Sequence, residues 1–167
     1  MNLRIAVPDD APAIAKVHID SWRSAYRGLV PDERLGKMDY TRESRRFHKS
    51  ISEEAEIFYI AEGISGDAGF MALGACRDSD VDQKATGEIY AMYLLPEYWR
   101  KGIGRSMCRE ADLLFMYFAF SQVVLWVFQD NHRARRFYEA MGFISDGAAR
   151  VMNIGTPLNT LRYRKRL

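Results

Sequence analysis

The chain has 167 residues, of which 48% are apolar and 28% are charged, and its formal net charge at pH 7 is +2. This length and composition predict one globular domain, residues 1–167, and the small charge argues against strong whole-protein attraction to nucleic acid or membranes. Cys76 and Cys108 form no Cys-x-x-Cys pair, which favours reduced thiols in a cytoplasmic protein. The N-terminus has no apolar run of the signal-peptide type, and the longest apolar run, 113–120, is too short to span a bilayer.

The first half of the chain predicts strands and amphipathic helices separated by short polar segments. Helix starts are indicated by aspartate and proline, and helix faces by apolar residues that recur every three or four positions. The second of the two helices is strongly polar, which predicts a surface position. The predicted elements are a strand at 3–6, a helix from Pro8 to Gly28, a short turn at 31–35, a helix at 41–54, and strands at 56–62 and 70–77 joined by a glycine-rich hairpin turn at 63–69.

The second half predicts a β-α-β unit, a further helix and two final strands. The elements are a strand at 87–95, a helix at 102–119, strands at 122–128, 143–151 and 158–166, and a helix at 132–141. Short loops favour antiparallel neighbours, while the β-α-β unit favours one parallel pair. The order β-α-α-β-β-β-α-β-α-β-β therefore predicts an α/β (α+β) fold, with a mixed, mostly antiparallel sheet of about six to seven strands and helices on both faces.

The stretch from Gly87 to Arg105 predicts a binding site for a phosphate group. A strand feeds a loop containing Gly102 and Gly104, and a helix follows at once. Glycines let a ligand approach the backbone, and the free N–H groups and dipole of a helix N-terminus favour an anion. The nucleoside triphosphate pattern G-x-x-x-x-G-K-[ST] is absent, and Met107 stands where a dinucleotide-binding loop needs its third glycine or alanine.

Two sequence blocks together resemble the GNAT superfamily of acetyl-CoA-dependent N-acetyltransferases. In the family's loop pattern [Q/R]-x-x-G-x-[G/A], Gly102 and Gly104 match and Trp99 replaces the first residue. The second pattern, N-x-x-A-x-x-F-Y-x-x-x-G-F, is matched at every fixed position from Asn131 to Phe143. The resemblance covers about residues 2–166. It implies a GNAT-like sheet and direct acetyl transfer from acetyl-CoA to a primary amine of a small molecule, a peptide or protein N-terminus, or a lysine.

The resemblance also implies roles for individual residues. Glu88 matches the family's general base, and Tyr138 matches the tyrosine that protonates the thiolate of coenzyme A. Trp22 and Tyr26 lie where the family builds its acceptor site. The positions that match contacts to the cofactor are Met92, Tyr93 and Leu94 on a strand that the family bulges beyond Glu88, Arg100, Lys101, Gly102, Ile103, Gly104 and Arg105 in the loop, and Asn131.

Structural alternatives stay open for several of these residues. Glu88 could face solvent at the start of a strand, and Asn131 is explained as a helix cap. The other candidates could be packing residues, as is expected for Cys108. The residues that could serve as core are Met92, Tyr93, Leu94, Tyr138, Trp22 and Tyr26.

The sequence leaves the acceptor and the assembly open. Asp20, Asp32 and Glu33 near the first helices favour a cationic amine, although carboxylates at helix ends are common. The basic end, 162–166, alternates like a strand with a solvated face, with nucleic-acid binding as the less favoured reading. The family often forms dimers, so a homodimer is one expected assembly. The histidines lack metal-ligand spacing, so no metal is expected. A non-catalytic acyl-CoA sensor is the alternative function.

Overall fold

A seven-stranded sheet forms the centre of the computed structural model, which describes residues 2–54, 56–63 and 66–167. The strands are β1 (Asn2–Ile5), β2 (Ile57–Gly63), β3 (Gly66–Ala75), β4 (Thr86–Leu94), β5 (Gln122–Phe128), β6 (Ile144–Asn153) and β7 (Pro157–Arg166). Their order across the sheet is β1-β2-β3-β4-β5-β7-β6, and only β4 and β5 are parallel. The predicted mixed, mostly antiparallel sheet is confirmed.

Helices cover both faces of this sheet. They are α1 (Ala11–Ala25), α2 (Asp32–Gly36), α3 (Tyr40–Ser52), α4 (Ile103–Tyr117) and α5 (His132–Ala140). One core packs α4 and the inner side of α5 against the sheet, and the other packs α1 and α3 against the opposite face. In the part of the chain that the structure describes, no helix is long and apolar enough to cross a membrane.

Two predicted boundaries differ from the structure. The turn expected at 31–35 is a one-turn helix, α2. The predicted hairpin is present, since β2 and β3 pair antiparallel, but its strands extend further than expected, because Gly63 and Gly66 pair with each other. Residues 64–65, in the middle of the turn predicted at 63–69, lie outside the described residues. Gly66 has φ of +127°, a conformation that only glycine adopts readily.

The strands β4 and β5 pair only over the first half of β4. Their ladder runs from Thr86 opposite Gln122 to Ile89 opposite Leu125, and the paired residues end there. On the other side of β4, the register against β3 shifts so that Tyr90 is an extra residue between Ile89 and Ala91. The bulge expected beyond Glu88 is therefore present at Tyr90. Because a bulge bends its strand, β4 diverges from β5 and a V-shaped cleft opens between them.

The last strand carries a buried charge that the sequence did not predict. Arg162 is only 6% exposed, and its guanidinium forms ion pairs with Asp78, Asp80 and Asp146. The prediction that the basic residues of 162–166 lie on a solvated face is thus wrong at Arg162. Three carboxylates brought together by the loop before β4 and by β6 compensate its burial.

An aromatic cluster around His18 joins the helices of one face to the sheet. The His18 ring contacts Trp22, Phe47, Phe70 and Tyr93 edge-on, at centroid distances between 5.3 and 6.2 Å. These residues come from α1, α3, β3 and β4. The cluster therefore holds α1 against the second half of β4, which does not pair with β5.

The His18 imidazole is held in its neutral form by this packing. Its Nδ1 lies 3.3 Å from Glu43 Oε2, but the angles are outside those of a hydrogen bond, and Nδ1 is buried without a partner among the described residues. Burial and, secondarily, Arg46 lower the pKa of His18 to about 4, against the opposing effect of Glu43. Protonation of His18 is consequently unfavourable in the folded protein.

The protein is expected to lose stability between pH 6.5 and 4 because of His18. In that window the unfolded chain binds a proton on this residue and the folded chain does not, so the free energy of unfolding decreases as the pH is lowered. The pKa is lowered from 6.5 to about 4, which makes the loss on the order of 3 kcal/mol. The free energy of unfolding, measured with urea at several pH values from 4.5 to 7, should change less with pH in His18→Gln than in wild type. His48→Gln, on the exposed side of α3, should keep the pH dependence of wild type. An identical pH dependence in all three proteins would contradict this account.

Candidate active site

A cavity of about 300 Å³ opens where β4 and β5 diverge. One wall is the second half of β4, the other is the end of β5 with the first turns of α5, and α1 covers one end. Most of the predicted site residues meet here. Those that line the cavity are Glu88, Met92, Tyr93, Leu94, Asn131, Tyr138, Trp22 and Tyr26.

The predicted loop residues lie beside this cavity and do not line it. Arg100, Lys101, Gly102, Ile103, Gly104 and Arg105 form the connection that enters α4. Gly102 has φ of +83° directly before the helix, and the Ile103 side chain is buried in the core. The first N–H groups of α4 have no partner within the helix, so this end of the helix offers N–H donors and the positive end of the helix dipole to an anion.

Gly104 brings this helix end close to α5. A Cβ atom at position 104 would lie 3.1 Å from the Phe137 ring and 3.5 Å from Leu94. Glycine therefore lets the start of α4 pack directly on Phe137, the neighbour of Tyr138. The contact places the glycine loop at the edge of the cleft.

Glu88 is buried at the closed end of the cleft, and it does not face solvent. Its carboxylate accepts a hydrogen bond from the Arg77 backbone N–H at 3.0 Å and one from the Arg77 guanidinium at 3.4 Å. That guanidinium lies over the Tyr90 ring, 3.7 Å from its centroid. Glu88 is thus held in one orientation, with its charge balanced by Arg77.

Tyr138 reaches the same cavity from the opposite wall. Its ring packs edge-on against Phe137 at 5.3 Å and Phe143 at 5.8 Å. Burial, followed by the nearby Cys108 and Tyr93, raises the pKa of the Tyr138 phenol. The hydroxyl therefore stays protonated and can donate a hydrogen bond. Burial also raises the pKa of the Cys108 thiol to about 12, as suits a packing residue.

In the segment from Met92 to Leu94, the backbone is better placed than the side chains to contact a ligand in the cavity. The Tyr93 ring packs on Phe70 and Trp22. The Leu94 carbonyl already accepts hydrogen bonds from Ser21 Oγ at 3.0 Å and Trp99 Nε1 at 2.8 Å. In a strand that has lost one neighbour, alternate residues turn their N–H and C=O groups toward the gap.

Asn131 acts as the N-cap of α5. Its side-chain oxygen accepts a hydrogen bond from the Ala134 N–H at 3.1 Å, which is the capping role that the sequence predicted. The same side chain borders the cavity. The cap fixes the first turn of α5 at the edge of the cleft.

Trp22 and Tyr26 serve both as wall and as core. Their rings are 4.9 Å apart, and Tyr26 also packs on Phe128 of β5 at 5.0 Å. Burial raises the pKa of Tyr26 and of Tyr93. These phenols stay neutral and form an aromatic surface at the α1 end of the cavity.

The carboxylates expected to attract a cationic amine do not line the cavity. Asp20 is bound by Lys16 Nζ and the Tyr40 hydroxyl. Asp32 and Glu33 are exposed on α2, and Glu33 pairs with Lys37. These acids therefore give no support to a cationic acceptor, because α1 and α2 turn them outward while their apolar faces meet the sheet.

The structure brings further side chains to the cavity to which the sequence analysis gave no role. Arg133 of α5 lies 3.3 Å from the centroid of Trp99, so this pair joins the two walls across the cleft. Arg133 is a free position in one sequence pattern and Trp99 departs from the other, so neither pattern predicts this contact. The additional lining residues include Arg77, Trp99, Arg133, Trp126 and Arg150.

Across residues 2–54, 56–63 and 66–167, no group of three or more His, Cys, Asp or Glu side chains is placed to hold a metal ion.

Comparison with known proteins identifies the family. The Acetyltransferase (GNAT) family model matches residues 19–143. The chain is 32% identical over 133 residues to an uncharacterized N-acetyltransferase of Bacillus subtilis (78% of this chain, 73% of that protein). It is 24% identical over 138 residues to the spermidine N(1)-acetyltransferase of Thermoplasma acidophilum (81% and 83%). The crystal structure of the PaiA N-acetyltransferase of Thermoplasma acidophilum in complex with coenzyme A has the same fold, with a TM-score of 0.75 and 22% identity over 100% of both chains. This chain belongs to the GNAT acetyltransferase family and is an acyltransferase.

Proposed function

We propose that the protein transfers an acetyl group from acetyl-CoA directly to a primary amine, on a small molecule, on a peptide or protein N-terminus, or on a lysine. One observation carries the proposal: Glu88 and Tyr138 face one cavity from opposite walls, beside a glycine loop at a helix N-terminus. A base and a proton donor on either side of one cleft are what transfer between a thioester and an amine requires.

The donor site combines the cleft with the loop. The backbone N–H groups of Gly102, Ile103 and Gly104, supported by Arg100 and Lys101, would hold the diphosphate. Backbone groups of Met92 and Tyr93 would bind the pantetheine arm and donate hydrogen bonds to the thioester oxygen. Acetyl-CoA supplies the activated acyl group, and the chain supplies its orientation.

Two side chains would move the protons. The Glu88 carboxylate would accept the proton that the attacking amine loses, directly or through a water molecule. The Tyr138 hydroxyl would donate a proton to the departing sulfur. Because Tyr138 is kept neutral by burial, it carries that proton throughout the working pH range.

A second candidate function is a sensor that binds acyl-CoA and transfers nothing. The observation that favours it is the engagement of Glu88, whose carboxylate is bonded to both the backbone and the guanidinium of Arg77. Release of free coenzyme A in the presence of a broad panel of amines distinguishes the two functions. Release that depends on an amine supports the transferase, and binding of acetyl-CoA with no such release supports the sensor.

Glu88→Gln is expected to lower kcat by about 100-fold or more, since general bases contribute at least that much. The matched control is Glu56→Gln, which removes the other carboxylate on Arg77 (3.4 Å away) without changing the cavity wall and should keep the wild-type kcat. A kcat of Glu88→Gln equal to that of wild type would exclude Glu88 as the base.

Tyr138→Phe is expected to lower kcat by roughly 100-fold while the Kd for acetyl-CoA stays within twofold, because only the proton donor is removed. Steady-state rates and calorimetric titration measure the two quantities. Tyr117→Phe, at a ring that is 82% exposed, provides the control. If Tyr138→Phe turns over as fast as wild type, Tyr138 has no part in the mechanism.

A further inference from the structure

Two arginines lie flat on aromatic rings at the Glu88 end of the cleft, one on each wall. The Arg77 guanidinium is 3.7 Å from the centroid of Tyr90 on β4, and the Arg150 guanidinium is 4.0 Å from that of Trp126 on β5. All four residues line the cavity. The two arginine side chains are 56% and 47% exposed, so a ligand can reach them. Stacking fixes the plane of a guanidinium and leaves its N–H edges to bind another group.

The two guanidinium groups differ in what they already bind. Arg77 donates to Glu88 and to Glu56, each at 3.4 Å. The closest carboxylate to Arg150 is that of Asp78, 3.6 Å from its Nη1, which is beyond hydrogen-bond distance. Arg150 therefore presents a stacked guanidinium whose N–H groups make no hydrogen bond within the described residues.

Asp78 is shared between Arg162 and Arg150. Its Oδ2 accepts hydrogen bonds from Trp126 Nε1 and from the Arg162 guanidinium, both at 3.0 Å, while its Oδ1 lies 3.6 Å from Arg150 Nη1. Arg162 also binds Asp80 at 2.7 Å and Asp146 at 2.7 Å. Arg150 thus has one long ion pair, which leaves its N–H groups available for a shorter, charge-assisted hydrogen bond to a ligand carboxylate.

The backbone of Arg150 is fixed next to the reacting end of the cleft. Arg150 pairs with Thr160 across β6 and β7, and the Thr160 hydroxyl donates to the Arg150 carbonyl at 3.0 Å. The Arg150 guanidinium stacks on Trp126. Trp126 lies two residues beyond Val124, which pairs with Glu88 in the β4–β5 ladder. Two residues of strand span about 7 Å. An amine at Glu88 and an anionic group at Arg150 would therefore be separated by only a few covalent bonds.

We propose that the acceptor carries a carboxylate in addition to its amine, and that Arg150 binds this carboxylate. Free amino acids and short peptides have this chemistry. The inference rests on the proposed transferase function and narrows its acceptor. A polyamine is disfavoured in this position, because its second positive charge would face the Arg150 guanidinium in place of a carboxylate.

The experiment compares matched amines that differ only in this charge. The full-length protein with saturating acetyl-CoA is assayed for coenzyme A release with α-amino acids, β-alanine and 4-aminobutyrate, with the corresponding amides, and with spermidine. A charged hydrogen bond should make kcat/KM for the best acid roughly 10- to 100-fold higher than for its amide. Arg150→Gln should reduce that ratio to near one, and Arg150→Glu should favour spermidine over the acids.

Two controls separate binding of the acceptor from folding and from binding of the donor. Arg45→Gln removes a charge from the exposed surface of α3 and should keep the wild-type ratio. The melting temperature of each variant and its Kd for acetyl-CoA should match wild type. Arg150→Lys, which keeps the charge but loses the planar fork, should retain an intermediate ratio.

The outcomes distinguish this inference from the function on which it rests. Equal kcat/KM for acids and amides, or a preference for spermidine that survives in Arg150→Gln, overturns the carboxylate site and leaves the transferase intact. If acetyl-CoA binds but no amine releases coenzyme A, the transferase proposal fails and the acceptor site fails with it.

Discussion

The end of the β4–β5 ladder at Ile89 and Leu125 is the constraint on which the rest of the structure depends. Up to that point two parallel strands share hydrogen bonds in the middle of the sheet. Beyond it, the extra residue Tyr90 turns β4 away, and the backbone groups on one side of each strand lose their partners. Buried backbone groups require partners, so a gap of this kind in a central sheet is costly unless a ligand can fill it. The fold itself therefore leaves backbone groups in the cleft available to a ligand.

Packing on both faces keeps the cleft open at a defined width. On one face the His18 cluster holds α1 against the diverging half of β4. On the other face Gly104 lets the start of α4 meet Phe137 of α5. The Arg133–Trp99 pair links the two sides at the edge of the cavity. Each wall thus has its own support, and the groups proposed for chemistry sit on rigid elements.

The sequence predicted the elements and the gathering of most site residues, because periodicity and two spaced motifs depend on local chain geometry. It did not predict how Glu88 is held, since its partner Arg77 follows a different strand and belongs to no pattern. It also misjudged Arg162, whose three carboxylates come from a loop and a strand far away in the chain. Asp20, Asp32 and Glu33 looked relevant through proximity in sequence, but their helices turn them away from the cavity. Ion pairs between residues that are far apart in the sequence could not be predicted from local sequence patterns.

The most direct test of the account is amide hydrogen exchange with and without coenzyme A. If the cleft is the donor site, protection should increase in residues 90–94, in 102–106 at the start of α4, and in 126–128 of β5. The edge strand β1, residues 2–5, lies three strands away from β4 in the sheet and provides an internal reference in which exchange should not change. Protection confined to β1, or no protection between β4 and β5 at saturating coenzyme A, would contradict the central claim.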